Sequence, residues 1–481
     1  MSTPDYAVSE ARAPSTAGEG FADLRGRVSW AAFEFARSPY ISLVYIYVFA
    51  PYFANSVIGD PVKGQEAWSF ANTLVGVCVA VLAPVLGAVA DRTGGRKPWL
   101  LGLVAIMAPA CIALWWAMPG AQGGLPLGVI FALIVILATS FQFTDMFHSS
   151  MLPSLAPPAR IGGLSGLGLA VGNFGTMLGL IVMLFGVALP ASGLVQLDFI
   201  PERPLFGLDP ATHEHERIAG PVAGIWFVLF AAPMFLWTPD RPSTGVPLRR
   251  AAREGLEQLW QTLRRARQVA NVGLYLLARM LYTDGKVAII AYAGIYAVGT
   301  FNWDLGALLL FGVILAPCGI VGGLSGGLID NRFGSKRAIQ ISVGGTCLGL
   351  LGAVSITPTE ILFIPYDAVA AGPLWSFPYF RTLPEVIYVG MFMILSATVG
   401  AAFANSRTMM ARIAPLSMMG QFFGLYGLSG TATSFLGHGL VATFTRLFHS
   451  QRAGVASILI LLLAGLTLLH WVREERAEIR T

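Results

Sequence analysis

The segment GAVADRTGGRKPWL, residues 87–100, recurs in altered form as GLIDNRFGSKRAI at residues 327–339. Each copy has a glycine, an acid or amide four residues later, and basic residues around a glycine turn. A second pair of segments, APPARIGGLSG at 156–166 and APLSMMGQFFG at 414–424, shares an alanine, a proline and two glycines in register. Because both pairs keep the same order along the chain, the sequence is interpreted as two related halves.

Composition assigns both halves to a membrane. Hydrophobic residues make up 55% of the 481 residues and charged residues only 12%, about half the roughly 25% of a soluble chain. A hydrocarbon core of about 30 Å requires about 20 apolar residues per helical crossing. Twelve apolar runs of that kind occur between residues 29 and 472. We therefore predict an all-α polytopic membrane protein with twelve transmembrane helices in two pseudo-repeated six-helix bundles.

The distribution of basic residues predicts the orientation. Lys and Arg near helix ends favour cytoplasmic loops, and roughly 21 of the 31 fall in the even-numbered connections and the tails. Both termini are therefore expected in the cytoplasm, and the short polar N-terminal tail favours the cell membrane. The predicted divisions are a tail at 1–28, a first bundle at 29–238, a linker at 239–270, a second bundle at 271–472 and a tail at 473–481.

The linker at 239–270 is the most polar internal segment. Leu256, Leu259, Trp260 and Leu263 recur within it at helical spacing, among several arginines. This pattern predicts an amphipathic helix on the cytoplasmic membrane surface. It is either a solvated linker with one face in contact with lipid, or a regulatory latch between the halves.

Ionisable residues within the predicted spans are the main functional signal. Each costs roughly 2.5–3.5 kcal/mol at the centre of a membrane helix on insertion scales, so such residues face a protein interior or a water-filled path. All of them fall in helices 1, 4, 7 and 10. These substrate-binding or coupling candidates are Glu34, Arg37, Asp145, Arg279, Asp284, Lys286 and Arg407.

Helical spacing gives these candidates provisional roles. Glu34 and Arg37 share one helix face, so Glu34 either neutralises Arg37 or couples transport to protons. Arg279 and Lys286 share another face, whereas Asp284 points elsewhere unless helix 7 breaks at Gly285. Asp145 and Arg407 lie near helix ends, where they either serve as latches or line the path.

One proline, Pro39, and one histidine, His148, allow further predictions about helix shape and exposure. Pro39 cannot donate to the Phe35 carbonyl, so helix 1 is expected to kink after the charged pair. An equivalent kink in helix 7 would free backbone groups for a ligand in both halves. His148, at the end of helix 4, is interpreted as a surface hydrogen-bonding residue rather than a proton relay.

The duplicated segments after helices 2 and 8 are the predicted gates. The glycines permit close helix contact, the acids can accept hydrogen bonds from a helix N-terminus, and the basic residues hold the cytoplasmic side. In the second copy, Asp330 comes one residue earlier than its counterpart. The gating residues are Gly87, Asp91, Arg92, Arg96 and Lys97 in the first copy, and Asp330, Arg332, Gly334, Lys336 and Arg337 in the second.

These segments resemble the signature loop of the major facilitator superfamily, whose fold is two six-helix bundles around a central cavity. The stretches WAAFEFARSPYISLVYIYVFAPYFA, LPSLAPPARIGGLSGLGLAVG and NSRTMMARIAPLSMMGQFFG are similar to the vacuole-effluxer branch, named for the fungal vacuolar amino-acid exporter of autophagy. The chain departs from the usual branch pattern at Glu34–Arg37, Gln421, Thr431 and His438. The resemblance implies a transporter, but these departures mean that the substrate of the branch is not carried over. The mixed charge within the spans favours an amino-acid-like solute, and export is the favoured direction.

Other chemistries lack their motifs. No phosphate-binding GxxxxGK[ST] run occurs, which argues against direct use of ATP, and HEHE at 213–216 lacks metalloprotease spacing, which favours a solvated charge cluster over a metal site. We expect no cofactor, no metal, no enzymatic activity and no nucleic-acid partner. The expected protein is a monomeric secondary-active transporter in the lipid bilayer, working by alternating access on a zwitterionic or anionic solute, with protons as the expected coupling ion.

Two alternatives remain open. A sugar or an organic anion is the alternative substrate. In the alternative function, the same fold acts as a membrane assembly factor or receptor without turnover.

Overall fold

The protein is almost entirely helical in the computed structural model, which describes residues 21–475 except 122, 196, 197, 199, 243, 248, 251, 255, 256, 258–269, 415–424, 427, 428, 431 and 432. The long helices of the first half are α1 (Leu24–Pro39), α2 (Pro61–Thr93), α3 (Lys97–Ala113), α4 (Leu127–Leu155), α5 (Pro158–Met183) and α6 (Ala219–Trp237). Those of the second half are α7 (Ala270–Phe301), α8 (Leu305–Phe333), α9 (Ser335–Val354), α10 (Leu383–Ile413), α11 (Ser434–Phe448 in its described part) and α12 (Ile458–Trp471).

Shorter elements extend or connect these helices. Short strands β1 (Glu360–Ile361) and β2 (Ile364–Pro365) form an antiparallel hairpin between α9 and α10. The short α-helical pieces are Phe49–Tyr52, Leu189–Ser192, Glu214–Arg217, Ala368–Ala371 and Gln451–Ala456. Single 3-10 turns cover Leu114–Trp116, Pro119–Ala121, Leu205–Gly207 and Pro210–Thr212. These pieces lie at the helix ends or in the connections, so the long helices define the architecture.

The first span changes helix type after Pro39. A π-helix follows at Tyr40–Tyr47, and a second one at Phe53–Val57 completes the span. Because proline has no N–H to donate, the carbonyl of Phe35 is left without its usual helical partner. The indole Nε1 of Trp226 in α6 donates to that carbonyl at 3.1 Å. The predicted irregularity is therefore present, and a side chain rather than a ligand satisfies the freed group.

Helix 7 does not break at Gly285. α7 is a continuous α-helix through this residue, so it frees no backbone groups there for a ligand. A Cβ at Gly285 would lie 2.9 Å from Leu462 Cδ2. The glycine therefore serves close packing of α7 on α12 rather than a helix break.

The helices pack in the same way in the two halves. α1 packs against α5 and α6, and α7 packs correspondingly against α11 and α12. α4 contacts α2 and α3, just as α10 contacts α8 and α9. Between the halves, α2 packs on α11 and α5 packs on α8. Ten of the described helices are long and apolar enough to cross a membrane, and the predicted all-α polytopic fold is confirmed.

The two halves are joined at one end of the molecule. The helix α1 begins at one end of the molecule, and the α2–α3 and α8–α9 junctions lie at the same end. We call it the terminal end, and we call the opposite end the distal end. At the distal end, Gln65 Nε2 donates to Thr445 Oγ1 at 2.8 Å, and Gln451 Nε2 donates to the Pro61 carbonyl at 2.7 Å. A Cβ at Gly294 would lie 2.1 Å from the Ile46 carbonyl. This dense contact between halves closes the distal end.

Two predictions, the N-terminal tail at 1–28 and the amphipathic helix in the linker, remain untested. The helix α1 already begins at Leu24, within the predicted tail. The predicted linker helix depends on positions 256, 259, 260 and 263, which lie outside the described residues. Part of the linker is described: Arg250 pairs with Glu254 at 2.7 Å, and Arg92 Nη1 lies 3.2 Å from the same carboxylate. The linker therefore contacts the first gating segment at the terminal end.

Candidate functional site

Three charged side chains meet between α1 and α4. Arg37 donates through Nε to Glu34 Oε2 at 2.7 Å and through Nη2 to Asp145 Oδ1. The side chains are 11%, 19% and 47% exposed for Arg37, Glu34 and Asp145, respectively. The predicted Glu34–Arg37 pair is present, and Asp145 completes a triad whose outer carboxylate faces open space.

His148 extends this triad into the protein interior, where it is fully buried. Its Nδ1 lies 3.1 Å from Glu34 Oε1, and its Nε2 lies 2.9 Å from the Trp30 carbonyl. The ring stacks between Trp30 and Phe33, at centroid distances of 4.4 and 4.8 Å. The prediction of a surface histidine is therefore wrong, because α1 covers this end of α4 and turns the ring inward.

The second charged group lies on α7, whose charged residues are nearly completely buried. Arg279 Nη1 donates to the Tyr426 carbonyl at 2.7 Å and to Ser429 Oγ at 2.5 Å. Its guanidinium carbon lies 3.5 Å from the centroid of the Tyr426 ring. Arg279 is thus held through Nη1 by residues that precede α11, whereas its Nε has no hydrogen-bond partner among the described residues.

Lys286 lies two turns further along the same face and differs sharply from Arg279. Its side chain is fully buried, and Nζ has no hydrogen-bond partner among the residues that the structure describes. The ammonium lies 3.8 Å from the centroid of Phe403 and 5.1 Å from that of Tyr282. Phe403, on α10, is 40% exposed. The buried amino group of Lys286 is thus covered by an aromatic ring that is itself partly exposed.

Asp284 occupies a different face of α7, as its spacing predicts. One carboxylate oxygen, Oδ2, accepts from the backbone N–H of Gly437 at 3.0 Å, whereas Oδ1 has no partner within the described part of the chain. The next residue, His438, lies 2.7 Å through Nδ1 from the hydroxyl of Tyr292. His438 was not among the predicted site residues, because a lone histidine in a glycine-rich span gives no local signal.

The charged residues fall into two sets, the Arg37 triad with His148 in the first half and the residues of α7 in the second. Arg407, by contrast, is exposed, and the described contacts do not bring it to either group. The structure therefore brings three of the seven predicted residues, Glu34, Arg37 and Asp145, into direct contact. Arg279, Asp284 and Lys286 share α7 but contact different partners.

The first gating segment is built around Arg96 and Lys97. The carboxylate of Asp240, just after α6, accepts from the backbone N–H of Arg96 at 2.8 Å and of Lys97 at 2.8 Å. In return, Lys97 Nζ donates to the Phe235 carbonyl at the end of α6, at 3.0 Å. The buried Arg96 side chain also donates to the Ser150 hydroxyl at 3.0 Å. The side chain of Asp91 lies outside the described part.

The second gating segment repeats this arrangement. Glu474, just after α12, accepts from the backbone N–H of Ser335 at 2.7 Å and of Lys336 at 3.0 Å. Lys336 Nζ donates to the His470 carbonyl at the end of α12, at 2.7 Å. Each half thus has reciprocal caps, in which an acid caps one helix N-terminus and a lysine caps the C-terminus of its neighbour.

The second copy also carries a charged latch. Asp330 is buried and lies 3.1 Å through Oδ2 from Arg412 Nη2, and the same guanidinium lies 2.7 Å from Glu474. Burial of the Glu474 carboxyl acts to raise its pKa, but hydrogen bonds from Lys336, Arg412 and Ser335 outweigh it and the pKa is lowered. Arg332 and Arg337 are exposed. The early position of Asp330 therefore still gives an ion pair at the end of α10.

The HEHE segment at the distal end holds a hydrogen-bonded histidine–glutamate pair. His213 Nδ1 lies 2.6 Å from Glu216 Oε2, and this hydrogen bond raises the pKa of His213. Among the described residues, no three His, Cys, Asp or Glu side chains are grouped so that they could hold a metal ion.

Comparison with solved structures defines the class. The chain superimposes on a D-xylose–proton symporter with a TM-score of 0.62 over 94% of this chain and 97% of that one, at 13% identity. At that identity the likeness concerns the fold. The two six-helix halves of this chain therefore have the fold of that symporter.

Sequence comparison then gives the family. Residues 159–480 match the family described as "Vacuole effluxer Atg22 like", and the chain belongs to that family. An uncharacterised MFS-type transporter of Bacillus subtilis, YxiO, is 22% identical over 93% of this chain and 94% of its own length. Autophagy-related protein 22-1 of Penicillium rubens is 25% identical over 61% of this chain. The chain spans about half the length of such fungal relatives, 49% in this case.

Proposed function

We propose that this protein is a proton-coupled secondary transporter of an amino-acid-like solute, bound between the two halves. The observation that carries the proposal is Lys286, a buried ammonium without a hydrogen-bond acceptor in the described structure, covered by a ring that reaches open space. An unpaired buried charge is costly and marks functional positions in membrane proteins. A solute carboxylate would supply the missing partner after Phe403 moves aside.

The opposite charge of a zwitterion has its own candidates. Asp284 Oδ1 lacks a partner within the described residues, and the outer carboxylate of the Arg37 triad, Asp145, is half exposed. Either can accept hydrogen bonds from an ammonium or a hydroxyl. An amino-acid-like solute matches this set better than a sugar, which would leave Lys286 without a counter-charge.

Glu34 and His148 are the proposed proton-coupling pair. They are in hydrogen-bond contact, and Glu34 is joined through Arg37 to Asp145, whose side chain is 47% exposed. Protonation of either group would weaken the hold of Glu34 on Arg37. Arg37 could then bind the solute, or it could pair with Asp145 alone. Proton binding would in this way change the geometry of the site.

The closed distal end supports alternating access. The distal contacts between halves hold one side shut, while Asp145 remains half exposed on the terminal side. Rocking of the halves about the central charges would reverse this arrangement. We place the termini in the cytoplasm of a cell membrane and favour export, which is the activity that the name of the family states.

A ligand screen tests solute binding. Purified protein would be heated with amino acids, sugars, nucleosides and organic anions, and zwitterionic amino acids are expected to raise the thermal midpoint. The Lys286→Met variant should lose this response, whereas Lys63→Met, altered at an exposed lysine in the first turn of α2, should keep it. A flat screen combined with a co-purifying protein would favour the assembly-factor alternative.

Transport in proteoliposomes tests the coupling. With a ligand from the screen, wild-type flux should rise with an imposed pH gradient, and Glu34→Gln should retain exchange but lose that dependence. Unchanged dependence on the pH gradient in Glu34→Gln would remove Glu34 from the coupling role.

A further inference from the structure

The hairpin between α9 and α10 has an unusual turn. Its strands are joined by two residues, Leu362 and Phe363, with φ of 53° and 64°. Two central residues with positive φ are typical of a type I′ turn, which favours pairs such as Asn-Gly. Bulky side chains are strained in this region of backbone space. The local conformation therefore gives no reason for a Leu-Phe pair.

Solvent exposure adds a second cost. Leu362, Phe363 and Ile364 are 57%, 58% and 66% exposed, respectively. Three consecutive apolar side chains at a loop tip are unfavourable in water. Because the turn is strained and also apolar, its residues require an explanation outside the hairpin itself.

The tip adjoins an exposed apolar face of α9. The backbone N–H of Phe363 donates at 3.1 Å to the carbonyl of Ser355, the C-cap residue that follows α9. Within α9, the exposed hydrophobic side chains are Ile341, Leu348 and Leu351, whose spacing puts them on one helix face. In a membrane helix an exposed apolar face of this kind meets the acyl chains. The exposed apolar surface thus continues from α9 onto the hairpin tip.

Arg452 holds the hairpin against the helix ends. Its Nε donates to the Val354 carbonyl at 2.5 Å, and its Nη1 lies 2.9 Å from Glu360 Oε2. Its guanidinium carbon also lies 4.7 Å from the centroid of the Phe363 ring. An arginine at a membrane boundary commonly keeps its charge in the polar layer and its stem against apolar groups. The clamp fixes the tip at the level where α9 leaves the hydrocarbon.

We propose that the Leu362–Ile364 tip is a membrane-interface anchor, seated in the headgroup and upper acyl region of the leaflet at the distal end. Its occupant is the bilayer itself, because the tip is continuous with the lipid-facing side of α9. Insertion would remove the apolar side chains from water and offset the strain of the turn. The anchor would tie the second half to the bilayer surface while the first half moves.

Fluorescence quenching tests the placement. A polarity-sensitive probe would be attached at Phe363→Cys in a background with the native cysteines replaced, namely Cys78, Cys111, Cys318 and Cys347, none of which forms a disulfide. In phosphatidylcholine nanodiscs, we expect strong quenching by lipids with a nitroxide near the headgroup and weak quenching by iodide. Glu202→Cys, exposed in the distal α5–α6 connection, should show the reverse. Iodide quenching at position 363 equal to that at 202 would overturn the proposal.

A second variant separates anchoring from local folding. The double substitution Leu362→Asn, Phe363→Gly supplies the residue pair that a type I′ turn prefers. We expect its thermal midpoint to equal or exceed that of the wild type in detergent, and to fall below it in nanodiscs. A rise in both media would show that the apolar pair contributes nothing at the membrane, and would refute the anchor.

Discussion

Replacing Lys286 by methionine should stabilise the empty protein and abolish solute binding. Methionine keeps an unbranched stem between the Phe403 and Tyr282 rings but removes the ammonium that lacks a hydrogen-bond partner among the described residues. Removing an ion from water costs several kcal/mol, and cation–π contact returns about 2 kcal/mol when it is desolvated. The free energy of unfolding should therefore rise by about 1–3 kcal/mol in Lys286→Met.

Arg279→Met is the matched control, since it removes a cation from the same helix face. Arg279 donates to Tyr426 and Ser429, and hydrogen bonds to charged groups are worth about 1.5–3 kcal/mol each. Two such bonds amount to about 3–6 kcal/mol, and removing the buried charge offsets about 1–2 kcal/mol of this, so the free energy of unfolding should fall by about 2–4 kcal/mol in Arg279→Met. Unfolding in mixed micelles, followed by circular dichroism with and without ligand, measures both quantities. A Lys286→Met protein that is less stable than the wild type and still responds to ligand would refute the reasoning.

The remaining predictions concern the triad, the caps and the distal closure. Arg37→Gln should lower the free energy of unfolding by about 2 kcal/mol. This is less than the 3–5 kcal/mol typical of a broken buried pair, because Asp145 is 47% exposed. In a double-mutant cycle, adding Asp145→Asn should restore part of the lost stability. Glu474→Gln should cost about 1–2 kcal/mol at neutral pH. Because the pKa of Glu474 is lowered on folding, its contribution is complete above the ordinary carboxyl value of about 4.3 and disappears as the pH falls through the lowered one. The thermal midpoint of Glu474→Gln should therefore lie below that of the wild type by a constant amount near neutral pH, and this difference should disappear only in acid. Gly294→Ala would bring a Cβ to 2.1 Å from a carbonyl of the first span, so it should open the distal end. An impermeant thiol reagent added from that side should then alkylate Asn72→Cys faster. An unchanged rate of alkylation would contradict the closure of the distal end.

The sequence predicted relations that depend on local spacing. Glu34 and Arg37 are three residues apart, so one helix face holds both. The duplicated glycine and basic segments likewise predicted paired junctions, because each junction is built from neighbouring residues. The effect of Pro39 on the first span followed from the missing N–H alone.

Relations between distant residues were not predictable in the same way. Arg37 meets Asp145 across 108 positions, and His148 is buried because α1 packs over it, which no pattern within α4 indicates. Gly285 packs against α12 rather than breaking α7, since glycine permits either outcome and the neighbouring helix decides. Asp240 and Glu474 cap helices that begin about 140 residues earlier in the chain, so their role depends on how α3 meets α6 and how α9 meets α12.

We have proposed that the two charged groups bind the same solute between the two halves and that the protein carries it across the membrane. The most direct test of this proposal is flux of an amino acid identified in the ligand screen, measured in proteoliposomes that contain wild-type or Lys286→Met protein under an imposed pH gradient. We expect saturable flux that the pH gradient drives in the wild type, and no flux above that of protein-free liposomes in Lys286→Met. Equal flux in the two proteins, or wild-type flux no greater than that of protein-free liposomes, would contradict it.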